Sequence, residues 1–140
     1  MTLLLHEPVL AAMAEYREHT AIVGEDGRSC TYRELERVVR AWTSALADLK
    51  PSPRRNPFVG ILAPVAAESI AAVLGALRAG CAYVPLDEHA PTERLRGIID
   101  STGLDVIVAD PVYLSRHPEL AQAPSIRRVL LTNEVDDRSP

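Results

Sequence analysis

The spacing of apolar and polar positions changes several times along this chain, and each change marks an element. Between Glu7 and His19, Val9, Met13 and Tyr16 recur at helical spacing, which predicts a short amphipathic helix. Ala21-Ile22-Val23 reads as a strand, Glu25-Asp26-Gly27 as a tight turn, and Arg28 to Cys30 as the returning hairpin partner. Thr31-Tyr32-Arg33-Glu34 has the spacing of a capping box. The Thr31 hydroxyl accepts the N–H of Glu34, whose carboxylate reaches back to the N–H of Thr31. Leu35, Val38, Val39, Trp42, Leu46 and Leu49 then lie on one helical stripe, with Arg33, Arg37 and Arg40 largely off it.

Prolines at 51, 53 and 57 break the helix into a loop. Phe58 to Ala63 is an apolar run without alternation, the pattern of a strand buried on both faces, and Pro64 stops it. Ala66 to Ala79 carries Ile70, Val73, Leu74 and Leu77 and reads as a helix ended by Gly80. Ala82-Tyr83-Val84 is a second short strand. Pro91 opens another helix, with Leu95, Ile98 and Ile99 inward and Gly103 just past its end. Val106 to Ala109 and Val129 to Leu131 are further strands, with a short helix between them at Val112 to Arg116 that Pro118 interrupts. Strand and helix thus alternate from Phe58 to Leu131, which predicts right-handed crossovers and a parallel sheet. The fold class is α/β: a partial layered sheet of mainly parallel strands with flanking helices and an N-terminal hairpin. It fills residues 1–132, and 133–140 is a polar tail.

Composition narrows the function classes. The 140 residues are 47% hydrophobic, enough for a core. The longest nearly uncharged stretch, Val59 to Leu77, still holds Glu68 and Pro64, so no membrane span is expected. The N-terminus lacks the basic start and apolar length of a signal peptide, and Cys30 and Cys81 stand apart, which together suit a reducing cytoplasm. Net charge is −4, and Lys50 is the only lysine among scattered arginines, a poor match to nucleic-acid binding.

Candidate chemistry is sparse. The seven glycines form neither GxGxxG nor GxxxxGK[ST], and Gly75 and Gly80 suit helix packing and a helix cap. Ser29, Ser44, Ser69 and Ser101 lack a GxSxG setting, and His6, His19, His89 and His117 are too scattered for a metal pair. Asp87-Glu88-His89 is the one dense polar cluster, read as a solvated loop into the next helix. Cys81 reads as a small buried hydrophobe and Lys50 as a surface lysine. No catalytic, cofactor-binding or metal-ligating residue is assigned.

Two stretches carry a resemblance. Thr31-Tyr32-Arg33-Glu34-Leu35 resembles the first core motif of the amino-acid adenylation domains of nonribosomal peptide synthetases. Leu77 to Asp87, which includes Gly80, Ala82, Tyr83, Val84, Pro85, Leu86 and Asp87, resembles their second, L-K-A-G-x-A-Y-V-P-[IL]-D. Glu93-Arg94-Leu95 is similar to the P-x-E-R-L that follows. Glu88 departs from the family's usual proline, and Ala90 from its common tyrosine. The resemblance covers residues 5–132 and stops before the family's phosphate-binding loop. It implies a structural role for both motifs and leaves the adenine, magnesium and lysine motifs outside the chain. The expectation is an N-terminal fragment of a split aminoacyl-AMP-forming enzyme, inactive alone, with ATP and Mg²⁺ used by the assembled enzyme. Its partner is then the polypeptide carrying the rest of the domain, or a second copy of the chain. The alternative is a non-catalytic interaction module that self-associates or docks on a synthetase. A third reading puts a small-ligand site at the strand ends around Pro64, Asp87 and Asp110.

Overall fold

The computed structural model describes residues 4–49, 51 and 55–135. Helix α1 (Glu7–Glu15) leads to a hairpin of β1 (Thr20–Val23) and β2 (Ser29–Thr31), followed by α2 (Tyr32–Leu46). Then come β3 (Phe58–Leu62), α3 (Ala67–Arg78), β4 (Ala82–Pro85), α4 (Thr92–Thr102) and β5 (Val106–Ala109). A short α5 (Pro111–Arg116), a 3₁₀ turn at Pro118–Gln122 and β6 (Arg128–Leu131) complete the order. Strands β4-β3-β5-β6 form a parallel sheet in that order, and β1-β2 is a separate antiparallel pair.

Alternation along the central strands divides the interior in two. Val59 and Ile61 of β3 and Val106 and Val108 of β5 point to one face, where Trp42, Val39 and Leu46 of α2, Ala72 and Ala76 of α3 and Met13 of α1 cover them. Leu62 of β3 and Ile107 and Ala109 of β5 point to the other, against Leu95 and Ile99 of α4, Leu104 and Leu120. Strands buried on both faces need no alternation of polarity, which is why both read as continuous apolar runs. The crossing of α2 over α3 is close because Gly75 has no side chain. A Cβ there would collide with Trp42 and stand 3.1 Å from the Thr43 amide nitrogen.

Local chemistry sets the ends. The capping box forms as expected, with Glu34 N–H donating to Thr31 Oγ1 at 3.2 Å and Thr31 N–H donating to Glu34 Oε2 at 3.0 Å. Gly80 and Gly103 take φ of +82° and +65°, the left-handed conformation that ends a helix at little cost in glycine.

Several expectations are corrected. Helix α1 ends at Glu15 rather than His19. The carbonyls of Arg17 and His19 instead accept the N–H groups of Arg33 and Tyr32, which α2 cannot satisfy internally. Tyr16, expected on the inner stripe, is exposed. Helix α2 stops at Leu46, and Leu49 follows in a turn. Pro118 does more than interrupt. It starts a 3₁₀ turn that buries Leu120. Strand β4, unlike β3 and β5, alternates between half-buried and exposed residues, because it is an edge strand without a helix over Tyr83 and Pro85. Of the polar tail at 133–140, residues 136–140 lie outside the described residues, as do Lys50 and residues 52–54 of the proline loop.

Candidate functional site

Ligands of parallel sheets gather beyond the carboxyl ends of the strands. There the loop after β3, Pro64 to Ala66, stands at the meeting point of three clefts. The first, about 530 Å³, runs between the hairpin and the start of α2 and is lined by Ile22, Arg28, Glu34, Leu35 and Val38. The second, about 720 Å³, lies along the open face of β4, between Ile61, Ile70, Val73 and Leu74 on one side and Tyr83, Pro85 and Asp87 on the other. The third, about 520 Å³, is lined by Glu68, Asp110, Val112 and Thr132. Pro64 borders all three.

The motif residues fall into two groups around this loop. Thr31, Tyr32, Glu34 and Leu35 form the start of α2 beside the first cleft. Gly80, Ala82, Tyr83, Val84, Pro85, Leu86 and Asp87 make the turn into β4, the strand and its exit, beside the second. Tyr83 and Pro85 face the cleft, whereas Val84 and Leu86 turn into the core under α4. The Asp87 carboxylate accepts the N–H of His89 at 2.9 Å and so shapes the loop. Glu93 and Arg94 are exposed on α4, and Leu95 is buried.

One expectation for this loop needs correction. Asp87 and His89 are solvated, but the Glu88 side chain is only 6% exposed and takes Arg116 through both oxygens, at 2.8 and 2.6 Å. His117 sits behind it, with Nε2 2.8 Å from the Glu88 carbonyl oxygen and Nδ1 2.8 Å from Thr92 Oγ1. A carbonyl can only accept, so Nε2 carries a proton. Desolvation, and then the Glu88 charge, push the nearby Tyr113 hydroxyl above its ordinary value. The residue that departs from the family's proline thus ties the loop to the α5–3₁₀ junction. The two partners lie 28 residues apart, and no local pattern signals their pairing.

Other roles were missed by motif reading. Ser69, dismissed as a nucleophile, accepts the Ala66 N–H at 3.0 Å and donates to the Pro64 carbonyl at 2.6 Å, holding the central loop. Asp110 caps α5 by accepting from Val112 and Tyr113. The serine three residues into a helix and the aspartate before Pro111 were local signals for both. Cys81 is 4% exposed, and burial pushes its thiol up, which fits a packing role.

Charge decides what the clefts can hold. Glu25, Asp26, Glu34, Glu68, Asp87 and Asp110 line them beside Glu88, whose charge Arg116 takes up, and Arg28 is the one arginine in their lining among the described residues. No group of three metal-ligating side chains occurs among the described residues. Among the described residues the lining offers a polyphosphate one arginine, itself 3.6 Å from Asp26, between apolar side chains and carboxylates, which does not fit a bound ATP. No helix among the described residues is long and apolar enough to cross a membrane.

Comparisons with known proteins agree with one another. A family model described as AMP-binding enzyme matches residues 9–139. Gramicidin S synthase 2 of Brevibacillus brevis is 30% identical over 135 residues, which is 94% of this chain and 3% of that protein. The nonribosomal peptide synthetase FmoA3, solved with α-methyl-L-serine-AMP, superposes with a TM-score of 0.83 at 25% identity, over 99% of this chain and 15% of its own. IdnL7 superposes with a TM-score of 0.78 at 30% identity, over 97% of this chain and 26% of its own. The chain therefore spans a small fraction of each relative's length.

Proposed function

The chain belongs to the AMP-binding enzyme family, and from that premise we propose that it is the N-terminal part of an amino-acid adenylation unit of nonribosomal peptide synthesis, completed by a second polypeptide. The likeness of the chain to the adenylation domains of nonribosomal peptide synthetases supports this reading. Adenylation joins a carboxylate to the α-phosphate of ATP and expels pyrophosphate. It needs cationic donors and Mg²⁺ where charge develops on the phosphoryl oxygens.

The carrying observation is the lack of cations at the strand ends, where six carboxylates besides the Arg116-paired Glu88 face one lining arginine among the described residues. Such a lining cannot neutralise a triphosphate unless another segment supplies the cradle. In this reading residues 1–132 are a structural subdomain, in which the motif of α2 shapes a helix start and the motif of β4 shapes a strand and its exit. ATP and Mg²⁺ belong to the assembled enzyme in the cytoplasm, and nucleic acid and membrane are not partners.

ATP–pyrophosphate exchange tests the reading. The chain alone is expected to show none, and addition of a polypeptide carrying the phosphate loop to restore it. Exchange by the chain alone, or failure of its genuine partner to restore it, contradicts the proposal. One observation favours the alternative of a non-catalytic docking module. The strand-end rim exposes Val65 at 93% and Val112 at 57%, surface suited to docking without chemistry.

A further inference from the structure

Two short segments at the strand ends have little packing of their own. The loop from Asp87 to Pro91 holds no buried residue, and neither does α5. A helix of six residues is too short to persist on local hydrogen bonds, even with Asp110 capping its first turn. Both segments are nonetheless held, and by the same two residues.

Arg116 and His117 grip the loop at both ends. The Arg116 guanidinium donates to both oxygens of Glu88, at 2.8 and 2.6 Å, and lies 5.6 Å from the centre of the Tyr113 ring. His117 closes α5 and opens the 3₁₀ turn. Its Nε2 donates to the Glu88 carbonyl, and its Nδ1 meets the hydroxyl of Thr92, the first residue of α4, each at 2.8 Å. Leu120, fully buried in the second core, anchors the turn behind them. The ion pair is lopsided, with the Glu88 side chain 6% exposed and that of Arg116 55%. Without the arginine the carboxylate is left buried and uncompensated, whereas without the carboxylate the guanidinium can turn to water. Proline, usual in the family at position 88, has no carboxylate to offer, so this grip does not come with the motif.

The gripped segments also form cleft walls. The loop gives Asp87 and His89 to the second cleft, and α5 gives Tyr113 to the second and Pro111 and Val112 to the third. We propose that Arg116 and His117 act as a clasp that joins the β4–α4 loop to α5 in one cooperative unit, so that the walls of the second and third clefts open and close together. Local opening follows such units, and the ties of this one are polar and lie outside the sheet. A change at one wall therefore reaches the other without disturbing β3 or β5.

Amide exchange of the full chain tests the clasp. The reporters are Ala90 in the loop, whose N–H bonds the Asp87 carbonyl, and Leu114 and His117 in and after α5, whose N–H groups bond the carbonyls of Asp110 and Leu114. Glu88→Gln is expected to speed exchange at all three by one common factor, roughly tenfold, the effect of a lost charge-assisted bond. Arg116→Ala speeds it roughly a hundredfold because the buried carboxylate is orphaned, and adding Glu88→Gln brings the factor back to about ten. Tyr32 and Arg33, at the start of α2 on the other face of the sheet, keep their rates in every variant. Acceleration confined to the loop after Glu88→Gln means two independent segments and overturns the clasp. Acceleration at Tyr32 and Arg33 as well overturns the separate unit. Failure of Glu88→Gln to relieve Arg116→Ala overturns the ion pair as the fastening. If Arg116→Ala lacks a melting transition, Glu88→Gln and Thr92→Val, which takes the hydroxyl from His117, decide by the same common factor.

Discussion

The centre of the sheet and the rim at its carboxyl ends use similar apolar residues but finish them differently. At the centre, β3 and β5 are closed from both sides, and Trp42 is fully buried where α2 crosses α3. At the rim, Val65 is 93% and Tyr83 37% exposed around a cleft of about 720 Å³. Interiors pack to crystal-like density, so truncating a side chain there is felt, whereas an exposed side chain has few neighbours to leave. The centre therefore accounts for folding, and the rim contributes little to it.

Substitutions sharpen this contrast in order of size. Trp42→Ala at the centre is expected to destabilise the chain by about 3–5 kcal/mol, read from urea unfolding. A cost below that of a surface change would break the comparison. Gly75→Ala forces a methyl group into the α2–α3 crossing, with an expected cost of about 1–3 kcal/mol. Its melting temperature falls although alanine is the better helix former. Thr31→Ala removes one side of the capping box and costs about 1 kcal/mol, seen as a shift of the urea midpoint without a change of slope. Val65→Asp at the rim changes stability by no more than about 0.5 kcal/mol. A large loss there would mean that the rim, too, is part of the isolated fold.

What was legible in the sequence follows the same division. The stripe from Leu35 to Leu46, the unalternating runs of β3 and β5 and the Thr31–Glu34 box each state their environment within a few residues. The β4 strand was legible as a strand but not as an edge, because openness depends on what fails to cover Tyr83 and Pro85. Glu88 was misread for a related reason: its partner Arg116 lies far along the chain, and a loop rich in polar residues looks solvated locally. The end of α1 was set by donors at the start of α2, again a distant cause. At the candidate site, the two motifs were found by resemblance. Of the loop that joins them, Pro64 to Ala66, the sequence marks Pro64 as a strand stop and strand-end site, whereas its tie to Ser69 is not legible because it runs through backbone groups.

The central claim is that this chain folds the base of an adenylation unit but has no nucleotide site of its own. Calorimetric titration of the isolated chain with ATP and Mg²⁺ tests it most directly. The account predicts no saturable heat across the millimolar range, since among the described residues the lining of the strand-end clefts holds carboxylates and one arginine, Arg28. Saturable one-to-one binding of ATP would contradict it.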